Sequence, residues 1–224
     1  MTQISSYFKS SIGRKQIVAI TGLMLVGFLV GHLLGNLTFF LGPEAFNAYA
    51  KKLASLRPGL LFVEVGLLVI FILHVYFTVT LVCENIKARS RGYLVTKTKK
   101  RSLATKLMPF TGFTLFAFVI LHLIDFTFTN KEGARPLIEG VDYGLYGVLY
   151  NAFSNPLHSL FYVVAMGCVG FHVTHGIQSV VQSFGFNSNK YTPLINKLSL
   201  SLGWIIALAF AAIPLTVLLN IIKI

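Results

Sequence analysis

The sequence predicts an all-α fold: an integral membrane bundle of five transmembrane helices. Of its 224 residues, 55% are hydrophobic and only 12% are charged, and the mean hydropathy is +0.74. A helix needs about 20 predominantly apolar residues to cross a bilayer. Five windows meet that condition, roughly residues 14–40, 59–84, 107–129, 156–184 and 198–222. Only short loops remain between them, so we expect a single domain over residues 1–224.

The windows differ in their polar content. The first follows Arg14 and Lys15, is longer than the apolar part of a signal peptide and is not closed by a small-residue cleavage site, so we interpret it as a span. Each of the first four windows contains at least one histidine. The fifth has no ionisable group in its apolar run, and Pro214 is expected to kink it. We therefore assign the fifth helix a packing role.

The basic residues predict the side of the membrane on which each loop lies. Thirteen of the 19 Lys and Arg residues lie in the N-terminal segment and in the second and fourth loops. Because cytoplasmic loops carry the excess of basic residues, the N-terminus is predicted to be cytoplasmic and the C-terminus to lie outside. The net charge of +12 then reflects topology, and we expect no binding to nucleic acid. The basic segment 86–106 either contacts anionic lipid headgroups or docks a cytoplasmic partner.

Four histidines lie well inside the first four windows, one in each: His32, His74, His122 and His172. An ionisable side chain at such depth is costly and usually functional. At about 1.5 Å per residue, His32 and His122 lie about 22 to 27 Å from the cytoplasmic edge. His74 and His172 lie roughly 15 to 18 Å from the same edge. We call His32 and His122 the outer pair, and His74 and His172 the inner pair.

Two neutral imidazoles at one depth on different helices are suited to ligate both axial positions of a haem iron. The two pairs therefore predict two b-type haems, about 10 Å apart in depth. Because the protein fills both axial positions, these haems would carry electrons rather than activate small molecules. Cys83 and Cys168 do not stand in a C-x-x-C-H arrangement, so we expect neither covalent haem nor an iron–sulfur cluster on this chain.

Spacing alone leaves the ligand on the fourth helix open. His175 follows His172 by three residues and lies on nearly the same helix face, so either could be the ligand. His158 stands near the outer end of the window, where a solvated histidine is also expected. In a cofactor-free proton or ion transporter, the histidines would instead form a relay. The sign of such a transporter would be broken helices in corresponding halves, and we see neither that symmetry nor a long internal repeat in the sequence.

A quinone that reacts beside the outer pair needs groups that exchange protons with it. Asp125 follows His122 by three residues and lies one turn closer to the outside. Glu64 precedes His74 by ten residues, which places it about 15 Å further outward. Asp125, Glu64 and His158 are therefore the candidates for quinone binding or proton exchange. For both carboxylates, a structural role at a helix end is the alternative.

Local motifs resemble the five-span, two-haem cytochrome b subunit of the succinate dehydrogenase and fumarate reductase family. They are residues 10–15, 21–22 and 31–36 in the first span, 42–47 in the first outer loop, and 171–176 with 184–185 in and after the fourth span. Together they extend over essentially the whole chain. Their combination is specific, although each motif alone is weak.

The resemblance implies a role for each histidine of the two pairs. His32 and His122 would ligate the distal, outer haem. His74 and His172 would ligate the proximal, inner haem, which selects His172 over His175. The family also implies two cytoplasmic partners on the basic inner face, a flavoprotein with covalent FAD and an iron–sulfur protein, with the dicarboxylate chemistry outside this chain. Menaquinone would react near the distal haem, and the chain would lie in a bacterial inner membrane.

One position departs from the family pattern. Some members carry a glutamate two residues before the proximal ligand of the fourth of these windows, where it is thought to help protons cross with the electrons. Here that position is Gly170, which lacks the carboxylate for that route. If protons do not cross with the electrons, electron transfer between quinone and the inner face would be electrogenic. The haem b subunits of hydrogenases, formate dehydrogenases and nitrate reductases also pass quinol electrons through two haems. Only the local motifs favour the succinate dehydrogenase and fumarate reductase family over them.

Overall fold

The helices account for most of the residues that the computed structural model describes, which are 7, 10–88, 103–128, 135–186 and 188–222. They are α1 (Ser11–Leu37), α2 (Pro43–Ala54), α3 (Gly59–Lys87), α4 (Leu103–Phe126), α5 (Gly144–Phe153), α6 (Pro156–Ser183) and α7 (Thr192–Leu218). A 3₁₀ turn, Thr38–Leu41, follows α1. An antiparallel hairpin of two-residue strands, β1 (Leu137–Ile138) and β2 (Val141–Asp142), precedes α5.

Five of these helices, α1, α3, α4, α6 and α7, are long and apolar enough to cross a membrane. The mean hydropathy of their most apolar windows runs from 1.5 to 2.5. The prediction of an all-α fold with five transmembrane helices is therefore confirmed, and the chain is a multi-pass membrane protein. The side on which each terminus lies stays a prediction. Most of the basic segment 86–106 falls in residues 89–102, which lie outside the described residues.

The ends of two helices differ from the predicted windows. Helix α4 ends at Phe126, three residues before the end of its window, and α7 begins at Thr192, six residues before its window. The first six residues of α7 include the polar Thr192, Asn196 and Lys197, and proline stands at one of its first two positions. Proline is favoured there because the first N–H groups of a helix have no intrahelical partner. A search for apolar residues does not detect such a turn.

Two short helices, α2 and α5, pack together at the end of the bundle where α1 finishes, which we call the outer end. Phe39 of the 3₁₀ turn is 1% exposed, and its ring stacks on that of Tyr146 at 4.4 Å. Asn47 of α2 donates through Nδ2 to the Tyr143 carbonyl at 2.8 Å and accepts through Oδ1 from the Tyr146 N–H at 3.1 Å. The sequence analysis placed the residues of both helices in loops, because each helix is too short to be recognised as a span.

The long helices differ in how much of their surface is covered. Helix α3 contributes no buried residue, although it is apolar on all sides, as expected of a helix in contact with lipid. Helices α6 and α7 contribute much of the buried core. They approach closely at Gly203, where a Cβ would lie 2.8 Å from the Gly170 carbonyl oxygen. Small residues of this kind allow helix backbones to come together in a membrane.

Four of the long helices surround the candidate site. Helix α1 packs against α3 and α6, and α4 packs against α6. Helices α3 and α4 face each other mainly through Phe71 and Phe116, whose rings are parallel and 6.1 Å apart. Around the bundle the order is therefore α3, α1, α6, α4, so that α1 lies diagonally opposite α4 and α3 lies diagonally opposite α6.

Candidate functional site

The four intramembrane histidines meet across these two diagonals. The ring centroids of His32 on α1 and His122 on α4 are 5.8 Å apart, with the rings nearly perpendicular at 87°. Those of His74 on α3 and His172 on α6 are 6.5 Å apart at 65°. Helix length and direction alone predicted the same grouping. Each pair thus joins two helices from opposite corners of the bundle.

The distance within each pair fits two imidazoles on opposite sides of one metal ion. A bond from a metal ion to a histidine nitrogen is about 2 Å, and the centre of the ring lies about 1 Å beyond the nitrogen, so two opposed ligands place their ring centres roughly 6 Å apart. The observed 6.5 Å and 5.8 Å bracket that value. A haem iron requires only these two ligands from the protein, because the porphyrin provides the remaining four.

The inner pair is held by two threonine hydroxyls. Thr21 Oγ1 lies 3.1 Å from His74 Nδ1, and it donates its own hydrogen to the Ile17 carbonyl at 2.7 Å. Thr111 Oγ1 lies 3.3 Å from His172 Nδ1 and donates to the Met108 carbonyl at 3.1 Å. In both cases the Nδ1 edge of the ring is turned towards the neighbouring helix. The Nε2 edge is therefore the one available for ligation.

Glycines stand beside both of these threonines. A Cβ at Gly22 would lie 3.2 Å from Cε1 of His74, and one at Gly112 would lie 3.5 Å from Cε1 of His172. The first distance is tighter than an ordinary van der Waals contact, and the second is ordinary. In each Thr-Gly step, the threonine therefore provides a hydrogen-bond acceptor for the inner histidine ring, and the glycine leaves space for that ring.

The outer pair has mainly aromatic surroundings. Phe28 stacks on His32 at 5.3 Å and Phe118 stacks on His122 at 5.6 Å. Asn36 Nδ2 lies 3.3 Å from His32 Nε2. His122 Nδ1 is buried and has no hydrogen-bond partner in the described part of the chain. A buried polar atom without a partner costs about 1–3 kcal/mol, so a ring in this position is suited to bind a further group.

Residues 21–32 of α1 and 111–122 of α4 follow one pattern. Both segments begin with Thr-Gly, carry leucine and phenylalanine at matching positions and end in histidine. Their matching residues make matching contacts, since each Thr-Gly step adjoins an inner histidine and each phenylalanine stacks on the outer histidine of its own helix. Sequence reasoning missed this repeat because it looked for a long one. The equal spacing from Thr-Gly to histidine was the signal available.

On α6, His172 carries the ring that faces His74. His175 lies one turn closer to the inner end of the bundle and is partly buried. The 6.5 Å separation between the rings of His172 and His74 fits the choice of His172 that the resemblance implies, and the choice between His172 and His175 stays a prediction.

Two of the three candidates for proton exchange come together at the outer end. The Tyr162 hydroxyl donates to Asp125 Oδ2 at 2.8 Å, and His158 Nε2 lies 3.5 Å from the same oxygen. The ring of Tyr162 stacks on His158 at 4.8 Å and lies 6.1 Å from that of His122. We call Asp125, His158 and Tyr162 the outer polar cluster. Tyr162 was missed from the sequence, although it follows His158 by one helical turn.

Glu64, the third candidate, lies elsewhere. Its carboxylate accepts two hydrogen bonds from Arg57 Nη2, at 2.9 and 3.1 Å. The side chains are 46% and 55% exposed, respectively. This ion pair fits the structural role at a helix end that was the alternative for Glu64, and its part in proton exchange stays a prediction.

At the inner end of the bundle, an ion pair joins two spans. Arg14 of α1 donates to the Glu84 carboxylate of α3. This ion pair connects the two helices that carry Thr21 and His74.

Comparison with protein-family models, curated proteins and solved structures finds no match to this chain. An assignment of function therefore depends on the residues and distances described above.

Proposed function

We propose that the chain is a dihaem cytochrome b membrane anchor that carries electrons between a quinone near its outer end and a partner protein at its inner end. The observation that supports this most directly is the meeting of four intramembrane histidines as two facing pairs. His32 and His122 would hold the outer haem, and His74 and His172 the inner one. Haem, when bound, supplies reversible one-electron transfer.

The surrounding residues determine what kind of chemistry such a site supports. With two histidines of the chain holding each haem, the iron would have no open position for a small molecule. Thr21 and Thr111 hold the ring orientation at the inner pair. Phe28 and Phe118 stack on the rings of the outer pair and surround them with apolar groups. These features favour electron transfer over catalysis at the iron.

The outer polar cluster would exchange protons with the quinone, for which menaquinone is the form implied by the family resemblance. A quinone takes up or releases protons as it is reduced or oxidised, so it needs acid and base groups within reach. Asp125 and His158 are such groups, and the Tyr162 hydroxyl holds the carboxylate in place. The ring of Tyr162 also brings this cluster next to His122, a ligand of the proposed outer haem.

The partners follow from the resemblance and from the charge distribution. A cytoplasmic iron–sulfur protein, together with a flavoprotein that carries covalent FAD, would dock on the basic inner face of a bacterial inner membrane. The dicarboxylate chemistry of a succinate dehydrogenase or fumarate reductase would take place on that flavoprotein. The chain described here would then be the electron-transfer subunit of the complex.

Turnover of such a complex would be electrogenic. A Cβ at Gly170 would lie 3.2 Å from Cδ2 of Trp204 and 3.3 Å from Cβ of Ala207, so the indole occupies the space that a longer side chain at this position would need. Position 170 therefore has no carboxylate through which protons could cross the membrane together with the electrons. Proteoliposomes with the complex should develop a membrane potential during turnover, and turnover without one would contradict this part of the proposal.

The first experiment is to purify the chain with whatever remains bound and to record a reduced-minus-oxidised spectrum with a haem-to-protein ratio. Two b-type haems per chain are expected, and the His175→Gln variant should retain both. Absence of a visible band would favour the histidine relay of a transporter. Co-purification of a molybdenum or nickel subunit, instead of a flavoprotein, would favour the formate dehydrogenase, nitrate reductase or hydrogenase class.

A further inference from the structure

We propose that Thr21 and Thr111 are positioning residues of the inner centre, which hold His74 and His172 through Nδ1 and thereby lower the reduction potential of the haem between them. This inference rests on the proposed function, because it requires a haem at the inner pair. It goes beyond that function because it assigns a role to two hydroxyls that are not ligands. These hydroxyls would influence the reduction potential of the inner haem.

The hydrogen-bond pattern fixes the direction of each bond. Each threonine hydroxyl has one hydrogen, which it gives to a carbonyl of its own helix, Ile17 for Thr21 and Met108 for Thr111. Towards the histidine ring the hydroxyl oxygen is therefore an acceptor, and Nδ1 must carry the hydrogen. A neutral imidazole with its hydrogen on Nδ1 has its lone pair on Nε2. The threonines thus select the nitrogen that faces the centre of the bundle.

The same bond changes the basicity of the ligand. A partner that accepts the outer N–H of a ligating histidine makes the ring a stronger electron donor to the metal. Stronger donation stabilises the oxidised, more positively charged iron and lowers the reduction potential. The separation is 3.1 Å at His74 and 3.3 Å at His172. Both separations are within hydrogen-bond distance, so an effect is expected for each threonine.

The repeat supports a common role for the two threonines. Residues 21–32 and 111–122 each place the Thr-Gly step against an inner histidine and supply an outer histidine at their other end. Each segment therefore serves both centres, through a ligand at the outer one and through a hydroxyl at the inner one. Within the described residues, neither outer ring has a threonine hydroxyl as its hydrogen-bond partner. The hydroxyl effect should accordingly be confined to the inner centre.

The test is a redox titration of the purified complex, followed by its visible spectrum, for Thr21→Val and Thr111→Val. Serine at each position retains the hydroxyl and serves as the conservative variant. Thr80→Val is the matched control, since Thr80 lies on the same helix as His74 but donates only to its own helix, at the Tyr76 carbonyl. The inner centre is identified as the haem that disappears in His74→Ala.

Each valine variant is expected to raise the potential of the inner haem and leave that of the outer haem unchanged. The serine variants and Thr80→Val should titrate like the parent. If a valine variant loses the inner haem instead, restoration by serine supports the inference and failure of serine to restore it overturns the inference. Unchanged potentials, or a shift of the outer haem alone, also overturn it. A parent chain with fewer than two haems would refute the proposed function itself.

Discussion

The two histidine pairs have nearly the same spacing but different surroundings. The inner pair is held by the hydroxyls of Thr21 and Thr111 on neighbouring helices. The outer pair is packed by phenylalanines and adjoins the outer polar cluster. The same chain thus has a hydrogen-bonded inner pair and, closer to the outer end, an outer pair in contact with the outer polar cluster. The difference indicates that equal ligands do not imply equal tasks.

The largest expected effect comes from removing a ligand from one pair or the other. His74→Ala should abolish haem binding at the inner pair and His32→Ala should abolish it at the outer pair, because a single remaining imidazole leaves one axial position without a ligand. Each variant should therefore retain one haem, and the two remaining haems should differ in potential. Spectra with a haem-to-protein ratio provide the measurement. Loss of both haems in both variants would contradict the independence of the two centres.

The outer polar cluster can be tested without disturbing the inner pair. Asp125→Asn removes a proton acceptor beside the outer pair and should lower the rate of quinol oxidation by about 100-fold, a typical contribution of acid–base catalysis. Haem content and both potentials should remain close to those of the parent. Steady-state assays with a menaquinol analogue provide the measurement.

Glu64→Gln is the matched control for that change, since it also neutralises a carboxylate near the outer end. Its ion pair with Arg57 is about half exposed, and such pairs contribute about 0–1 kcal/mol. We expect its quinol oxidation rate to equal that of the parent. An equal loss of rate in both variants would show that the outer polar cluster has no special part in the reaction.

The two glycines of the repeat should respond unequally to a methyl group. Gly22→Ala forces the His74 ring aside, since the added Cβ would lie 3.2 Å from Cε1, and overpacking of this kind costs about 1–3 kcal/mol. Gly112→Ala, with a corresponding distance of 3.5 Å, should be close to neutral. Thermal unfolding in detergent and retention of the inner haem provide the readouts. An equal loss of stability in the two variants would contradict the difference between the two Cβ distances.

The smallest effect is expected at the inner end of the bundle. Glu84→Gln removes the ion pair with Arg14, and because Glu84 is 47% exposed, the free energy of unfolding should fall by only about 0–1 kcal/mol. Asn47→Ala, at the outer end, removes two hydrogen bonds to α5 and should cost about 1–3 kcal/mol. Thermal midpoints of the two variants compare the ends directly. A larger loss for Glu84→Gln would reverse the expected order.

The sequence predicted the features that depend on distance along a helix. The number of spans and the grouping of His32 with His122 and of His74 with His172 follow from length, direction and a constant rise per residue. The contacts of Thr111 and Tyr162 depend on how helices rotate and cross, which no apolar pattern specifies. Helix α2 was missed because its structure comes from packing on α5 rather than from length. The hydrogen bonds of Glu64 with Arg57 and of Asp125 with Tyr162 are seen only in the structure.

Helix α3 contributes one histidine to the inner pair, yet no residue of α3 is buried. Among the long helices it packs chiefly on α1, and the stack of Phe71 on Phe116 is its main link to α4. Little apolar area is therefore available to dock this helix after it has entered the bilayer. A group shared by His74 and His172 would fasten α3 to the opposite corner of the bundle. Insertion of the cofactor and completion of the tertiary structure would then be a single event in the biogenesis of the protein.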